Sequence, residues 1–453
     1  MFKKKLSSTL AILSLFDCTL QKPALCETKN VPNFSIPNDI INTITKSKTD
    51  DGYYIDVSDP YDISYKIYHG LGDAMRISLS NAKTPLEKNL YYISECRVRG
   101  DYNCADKNIE SGLQYFKNQK NPNIEVILYL EYIYAEDLFS EGRTKDWYFV
   151  KKYIDSVLKP SLEKSADVEN LHINGVDNVE LTNPITENLF ATITEKTNND
   201  IPIKTSKYGY SPHIIISKSN ENFDAIVDTG VLLTTIPQKY VESFNVKVIG
   251  EIKNFKISTG GTESLPFGII KNIKINDINI YNLPAVILPK GDITVGNMLL
   301  SKLSPILISK NSMRLHSDNK ESCKNNFYFG YGQGGYERNI IFNAAIDGKI
   351  EKSVLDTGLN SNTILAYKNK FSQEEYNKSE KIIIKSFGFD ENMRSYSKYF
   401  SLNLPGGSEK KYKGDYILDK TRESQYIIGG NIYYSNNIYI DLNKSLLCFY
   451  KND

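Results

Sequence analysis

"FDAIVDTGVLL", residues 223–233, sets an Asp-Thr-Gly tripeptide behind an apolar run, and "KSVLDTGLNSN", residues 352–362, repeats the arrangement behind Val354-Leu355. A single tripeptide of this kind reads as a turn, because Asp and Gly both favour turns. Two in matching frames need a common cause. With Asp228 laid on Asp356, Thr235-Ile236 falls on Thr363-Ile364. A later block matches without a gap: the stretches opening at Gly296 and Gly430 share Gly-Asn, a Ser five places on, an Ile ten on and a Lys fourteen on. The Asp-to-Gly separations are 68 and 74 residues. Duplication accounts for this order better than coincidence does.

The texture around the repeat is that of β structure. "HIIISKS", "VKVIGEI", "GIIKNIKI" and "INIYNLPAVIL" are short β-branched runs cut by Gly, Asn, Asp and Pro. The spacing predicts a β-rich lobe over 200–318, a polar link over 319–335 and a second β-rich lobe over 336–453. Residues 61–175 differ: "NCADKNIESGLQYFKNQ" and "IEVILYLEYIYAEDLFSEG" carry apolar residues at three and four, with Pro and Gly at the joints, and predict an all-α unit. "RGDYNCADKNIESGLQYF" resembles the second helix of a tetratricopeptide hairpin, over one or two hairpins; a generic helical bundle is the other reading. Residues 27–60 read as an extended linking segment.

The fold class expected is therefore a multi-domain chain, a helical N-terminal domain followed by an all-β, two-lobed domain. From about residue 200 onward the chain resembles the aspartic proteases of the pepsin and retropepsin class. The resemblance rests on "AIVDTG" and "SVLDTG", on the later "TVGN" and "IIGGN", and on the closing "IIGGNIYYSNNIYIDLNKSLLCFY". It covers a little over half the chain. It implies endopeptidase activity with Asp228 and Asp356 as a paired dyad. It also implies that the hydroxyls of Thr229 and Thr357 lock the two loops together, and that Gly230 and Gly358 leave room beside the carboxylates. Gly296 in the first lobe, and Gly429 or Gly430 in the second, would form the floor; gap-free alignment favours Gly430 and the spacing to Asp441 favours Gly429. Ser258, Thr259, Gly260 and Gly261 lie in a stretch resembling the flap of bacterial retropepsin-like proteins.

The chemistry explains the residue types. Hydrolysing a peptide without a metal or a nucleophilic side chain requires a base to deprotonate the attacking water and an acid to protonate the carbonyl oxygen. Two carboxyls held about 3 Å apart cannot both ionise, so they share one proton and supply both roles. No cofactor and no metal are expected, since the four histidines are scattered and no CxxC spacing occurs. A second reading stays open, an inactive protease fold that binds peptides and recruits a protein partner through its helices. It is motivated by Val231 and Leu359, which follow the tripeptides where the family usually carries Ala or Ser.

Composition bounds the partners. Fifty-five Lys and Arg against 54 Asp and Glu leave a formal charge of +1, without a charged block to attract nucleic acid or an anionic membrane. The 32 tyrosines are spread over helices and strands. Lys3, Lys4 and Lys5 precede an apolar run from Leu6 to Phe16, the layout of a secretory signal over 1–26, so export to a periplasm or beyond the cell is expected. That run is too short to span a bilayer. Beyond it remain Cys96, Cys104, Cys323 and Cys448, an even number that fits an oxidising compartment; pairs 96–104 and 323–448 and four free buried thiols are both open.

Overall fold

A computed structural model describes residues 48–49, 52–53, 70–82, 85–120, 122, 124–163, 179–192, 200–205, 211–256, 262–315, 323–331, 338–359, 363–368, 370–386, 389–418 and 425–451. The signal expected over 1–26 and the flap tip Ser258, Thr259, Gly260 and Gly261 lie outside these residues. Of the segment 27–60, only β1 (Lys48–Thr49) and β2 (Gly52–Tyr53), a short antiparallel pair, are described.

Helices come first: α1 (Gly72–Asn81), α2 (Pro85–Val98), α3 (Tyr102–Lys117), α4 (Ile124–Ser140), α5 (Thr144–Tyr153) and, after a π turn, α6 (Lys159–Glu163). From α1 to α5 each packs on the next. The α3 sequence shows why it is a helix: Tyr102, Ala105, Ile109, Leu113 and Phe116 recur at three and four and are all buried. Asp101 caps it by accepting a hydrogen bond from the Cys104 N–H. Cys96 at the end of α2 is bonded to Cys104, which staples the α2–α3 turn. α4 is apolar almost all round and lies buried between α3 and α5. Trp147 of α5 is fully buried, its ring 4.8 Å from that of Phe139 and 6.3 Å from that of Phe267, so the helices rest directly on the β structure.

The strands preceding and forming the first half are β3 (Val179–Leu181), β4 (Phe190–Thr192), β5 (Asp200–Pro202), β6 (Lys204–Thr205), β7 (Pro212–Lys218), β8 (Glu221–Val227), β9 (Thr234–Pro237), β10 (Val246–Lys256), β11 (Thr262–Ile275), β12 (Ile278–Leu288), β13 (Ile293–Val295), then α7 (Asn297–Leu303), β14 (Ile306–Ile308) and β15 (Ser312–Leu315). The second half adds β16 (Tyr328–Tyr331), β17 (Arg338–Ile346), β18 (Lys349–Asp356), β19 (Ile364–Lys368), α8 (Gln373–Lys378), β20 (Glu380–Ser386), β21 (Phe389–Asn403), β22 (Lys410–Leu418), β23 (Gln425–Gly429), β24 (Asn436–Asp441) and β25 (Leu446–Lys451). Two-residue turns set the hairpin registers: Ser219-Asn220 between β7 and β8, Asn276-Asp277 between β11 and β12, and Asp347-Gly348 between β17 and β18. Ser219, Asn276, Asp347 and Gly348 take the positive φ that such tight turns need.

One sheet contains the run β10-β11-β12-β9-β13-β8-β7 and the other β20-β21-β22-β19-β23-β18-β17, the same order in both. The parallel pairs correspond as well: β12 with β9 and β13 with β8, against β22 with β19 and β23 with β18. β11 also pairs with β7, and β21 with β17, so each sheet closes back on itself in a barrel-like way. A third sheet, β25-β24-β14-β15-β5, takes strands from both halves, joined where Ile306 faces Ile440 and Ile308 faces Ile438. A disulfide ties Cys323 to Cys448 of β25.

The link expected over 319–335 needs correction. It contains β16, which pairs with β17 from Tyr328↔Ile341 to Tyr331↔Arg338. Phe327, Phe329 and Tyr331 alternate inward and are at most 3% exposed, the period-two pattern of a strand, which neighbouring Asn and Gly residues conceal.

Candidate active site

Each Asp-Thr-Gly loop leaves the end of a central strand. β8 delivers Asp228 and β18 delivers Asp356, and both strands are flanked by a parallel neighbour that holds the loop in register. β13 runs beside β8 as far as Val227↔Val295, where the Asp228 N–H donates to the Val295 carbonyl at 3.0 Å. β23 runs beside β18 one step further, Asp356↔Gly429. Gly429, and not Gly430, therefore occupies the place matching Gly296. A Cβ on Gly429 would lie 1.6 Å from the Asp356 carbonyl oxygen, and one on Gly296 would lie 2.6 Å from that of Leu232, so neither strand can pass with a side chain there.

The loops meet tip to tip through reciprocal hydrogen bonds. The Thr229 hydroxyl donates to the Leu355 carbonyl (3.0 Å) and accepts from the Thr357 N–H (3.0 Å). The Thr357 hydroxyl donates to the Val227 carbonyl (2.7 Å) and accepts from the Thr229 N–H (3.1 Å). Both threonines are at most 1% exposed, which strengthens bonds of this kind and makes an unpaired partner costly. Gly230 and Gly358 lie against the opposite carboxylates: a Cβ on Gly358 would be 2.2 Å from Asp228 Cγ, and one on Gly230 2.5 Å from Asp356 Cγ.

Asp228 thus lies against the Asp356 loop at Gly358, and Asp356 against the Asp228 loop at Gly230. Burial raises the Asp228 carboxyl well above the ordinary range, and the Asp356 charge raises it further; the Gly230 N–H, donating to Asp228 Oδ1 at 2.8 Å, opposes them. Burial pushes Asp356 up to about 6, less far because the Leu359 N–H, the bond to Asp228 and the Gly358 N–H favour its charged form. A pair in which one member holds its proton more firmly is what like carboxyls in one site produce. Asp356 Oδ1 is buried and meets no donor among the described residues.

Several supporting residues escaped the reading of the sequence. Asn297 Nδ2 donates to the Thr229 carbonyl (2.7 Å) and to the Arg338 carbonyl (2.9 Å). Arg338, 2% exposed, donates from Nη1 to Tyr102 Oη and the Ser140 carbonyl, and from Nη2 to the Asn297 carbonyl and Ser301 Oγ. The guanidinium thus joins α3 and α4 to α7, and α7 to the Asp228 loop. Ser211 Oγ donates to the Gly358 carbonyl at 2.9 Å. In the second half Thr363 Oγ1 bonds Asn431, which follows Gly430 in sequence as Asn297 follows Gly296. That repeat was the available signal for both asparagines. Leu359 packs against Leu365, Tyr367 and Ile417.

Residues 216–301 match the family described as aspartyl protease, a stretch that contains the first Asp-Thr-Gly and the floor glycine Gly296. Among solved structures, one that it resembles is basic 7S globulin from soybean, at 10% identity and a TM-score of 0.34, over 59% of this chain and 95% of that one. No curated protein matches the chain. Among the described residues no helix is long and apolar enough to cross a membrane, and no three His, Cys, Asp or Glu side chains gather as a metal site.

Proposed function

We propose that the chain is an aspartic endopeptidase built of two lobes, with Asp228 and Asp356 as its catalytic dyad. The observation that carries the reading is the reciprocity of the two loops: each threonine is bonded to the other's strand and each glycine clears space for the other's carboxyl. Chance turns would not interlock in this way.

In this mechanism Asp356, the more acidic member, is ionised and Asp228 carries the proton. A water bound between them attacks the peptide carbonyl carbon and gives its proton to Asp356, while Asp228 protonates the carbonyl oxygen. The neutral tetrahedral diol collapses when Asp356 returns its proton to the departing nitrogen and a diol hydroxyl returns one to Asp228, breaking the C–N bond and restoring the starting state. The substrate would be an extended peptide of a protein, covered by the hairpin between β10 and β11. The bonded pairs Cys96–Cys104 and Cys323–Cys448 favour an exported protein acting in a periplasm or outside the cell.

The test is cleavage of a peptide library by the purified chain. Asp228→Asn and Asp356→Asn are each expected to lower kcat by at least about a thousandfold while leaving the fold intact. Cleavage that survives either substitution removes the dyad. A chain that binds peptides yet cuts none would instead be a binding scaffold.

A further inference from the structure

A cavity of about 690 Å³ opens where the helices, α7 and the turn between β24 and β25 come together. Four cations line it, Arg99, Lys302, Arg338 and Lys444, against two acids, Asp101 and Glu141. The acids are partly committed elsewhere: Asp101 accepts from the Cys104 N–H at the start of α3, and Glu141 is 3.5 Å from Arg143. Arg99 is paired with Glu95 at 3.0 Å, whereas Lys302, Arg338 and Lys444 make no ion pair among the described residues. Two buried donors remain unmet. Arg338 is 2% exposed, and its Nε–H finds no acceptor among the described residues; the Nε–H of Arg99 is likewise buried without one. Burying a guanidinium donor without an acceptor is costly, and an anion within reach removes the cost. Burial also lowers the Lys302 pKa; Glu141 opposes this, and the nearby Arg338 and Arg143 charges add to it. These are the effects expected of a cationic chamber short of negative charge.

We propose that this cavity is a binding site for a small organic oxyanion carrying about two negative charges, a phosphate monoester or a dicarboxylate, held by Arg338, Arg99, Lys302 and Lys444. The charge surplus of two matches such a ligand, and the volume exceeds that of a bare ion. Tyr102 and Asn103, in the first turn of α3, also line the cavity, so the positive end of that helix faces it. Arg338 gives the ligand a route to the Asp228 loop, since its Nη2 holds Asn297, whose side chain holds the Thr229 carbonyl. Binding there adjusts cleavage; that regulatory part rests on the endopeptidase reading, and the binding part does not.

Titration calorimetry on the full chain decides the binding. The probes are inorganic phosphate, glycerol 3-phosphate and succinate, with chloride as the control for simple screening. Saturable binding of glycerol 3-phosphate or succinate is expected in the millimolar range or tighter, weakened at least about tenfold in the double variant Lys302→Ala/Lys444→Ala and retained in Lys302→Arg/Lys444→Arg. The preferred probe identifies the ligand as phosphate or carboxylate. Absence of saturable heat with all three probes, or equal binding by the alanine variant, overturns the site. If the site fills but kcat/KM for a cut peptide stays constant, the regulatory part fails and the site stands. If no peptide is cut under any condition the endopeptidase reading fails, and the calorimetry still decides the site.

Discussion

Gly358 is informative for what it lacks. A methyl group there would sit 2.4 Å from Asp228 Oδ2, a separation no Cβ tolerates, and the obstacle is a carboxyl whose position matters. Gly358→Ala is expected to swing Asp228 aside and lower kcat/KM by about a hundredfold or more, with a smaller effect on Tm; near-normal turnover would show that the carboxyl need not be fixed. The acids themselves link pH to stability. Asp356 keeps its proton to a higher pH in the folded chain than in the unfolded one, because burial disfavours its charge. Its stabilising contribution is full below the ordinary Asp range near 4 and is lost as the pH rises through about 6. Asp356→Asn should therefore raise Tm relative to the unsubstituted chain at pH 7, by several degrees, and much less at pH 4. Thermal scans at the two pH values check this. At this scale the Asp-Thr-Gly residues were legible because their chemistry is local and stated twice. Arg338 was not, since its meaning lies in Tyr102, Ser140 and Asn297, which are 236, 198 and 41 residues distant. Burial makes that arginine structural, and burial of a lone arginine has no signature in its neighbours.

Among elements, α4 and α3 could be read directly, because runs with apolar residues at three and four have few other uses. The β-rich character of the rest was equally plain. β16 was hidden, since a four-residue strand set among Asn and Gly has too few alternations to stand out. β3 and β4, three residues each, were hidden in a polar stretch for the same reason. What holds helix to sheet is one large side chain. Trp147 is fully buried against Phe139 and Phe267, and its indole N–H makes no hydrogen bond among the described residues, so its value is packing. Trp147→Ala is expected to cost about 3–5 kcal/mol, read as a fall in the denaturant midpoint, and Trp147→Phe clearly less. Equal losses in the two variants would mean that the N–H, and not the volume, matters.

The whole molecule depends on the helical part more than separate reading of the two regions suggested. Tyr331 Oη donates to the Arg97 carbonyl (3.0 Å) and accepts from Tyr102 Oη (2.7 Å), and the Arg97 guanidinium lies 4.7 Å from the Tyr331 ring centre. Ser445 bonds the Arg99 carbonyl. Deleting residues 70–163 would expose Phe267, Phe329 and Tyr331 and strand Arg338 without two of its partners, Tyr102 and the Ser140 carbonyl. The shortened chain is expected to be poorly soluble and to melt well below the full one, as light scattering and calorimetry would register; a soluble, equally stable β fragment would show the helices to be a mere appendage. Chain order also sets a clock. Asp228 is synthesised 128 residues before Asp356, and the sheet uniting the halves is finished only when β24 and β25 emerge. At ribosomal speeds of about 5–20 residues per second, the first carboxyl waits roughly ten to forty seconds for its partner and their common support. During translation the nascent polypeptide therefore holds one member of the proposed pair alone, and the pair lacks its common support until synthesis has passed β25.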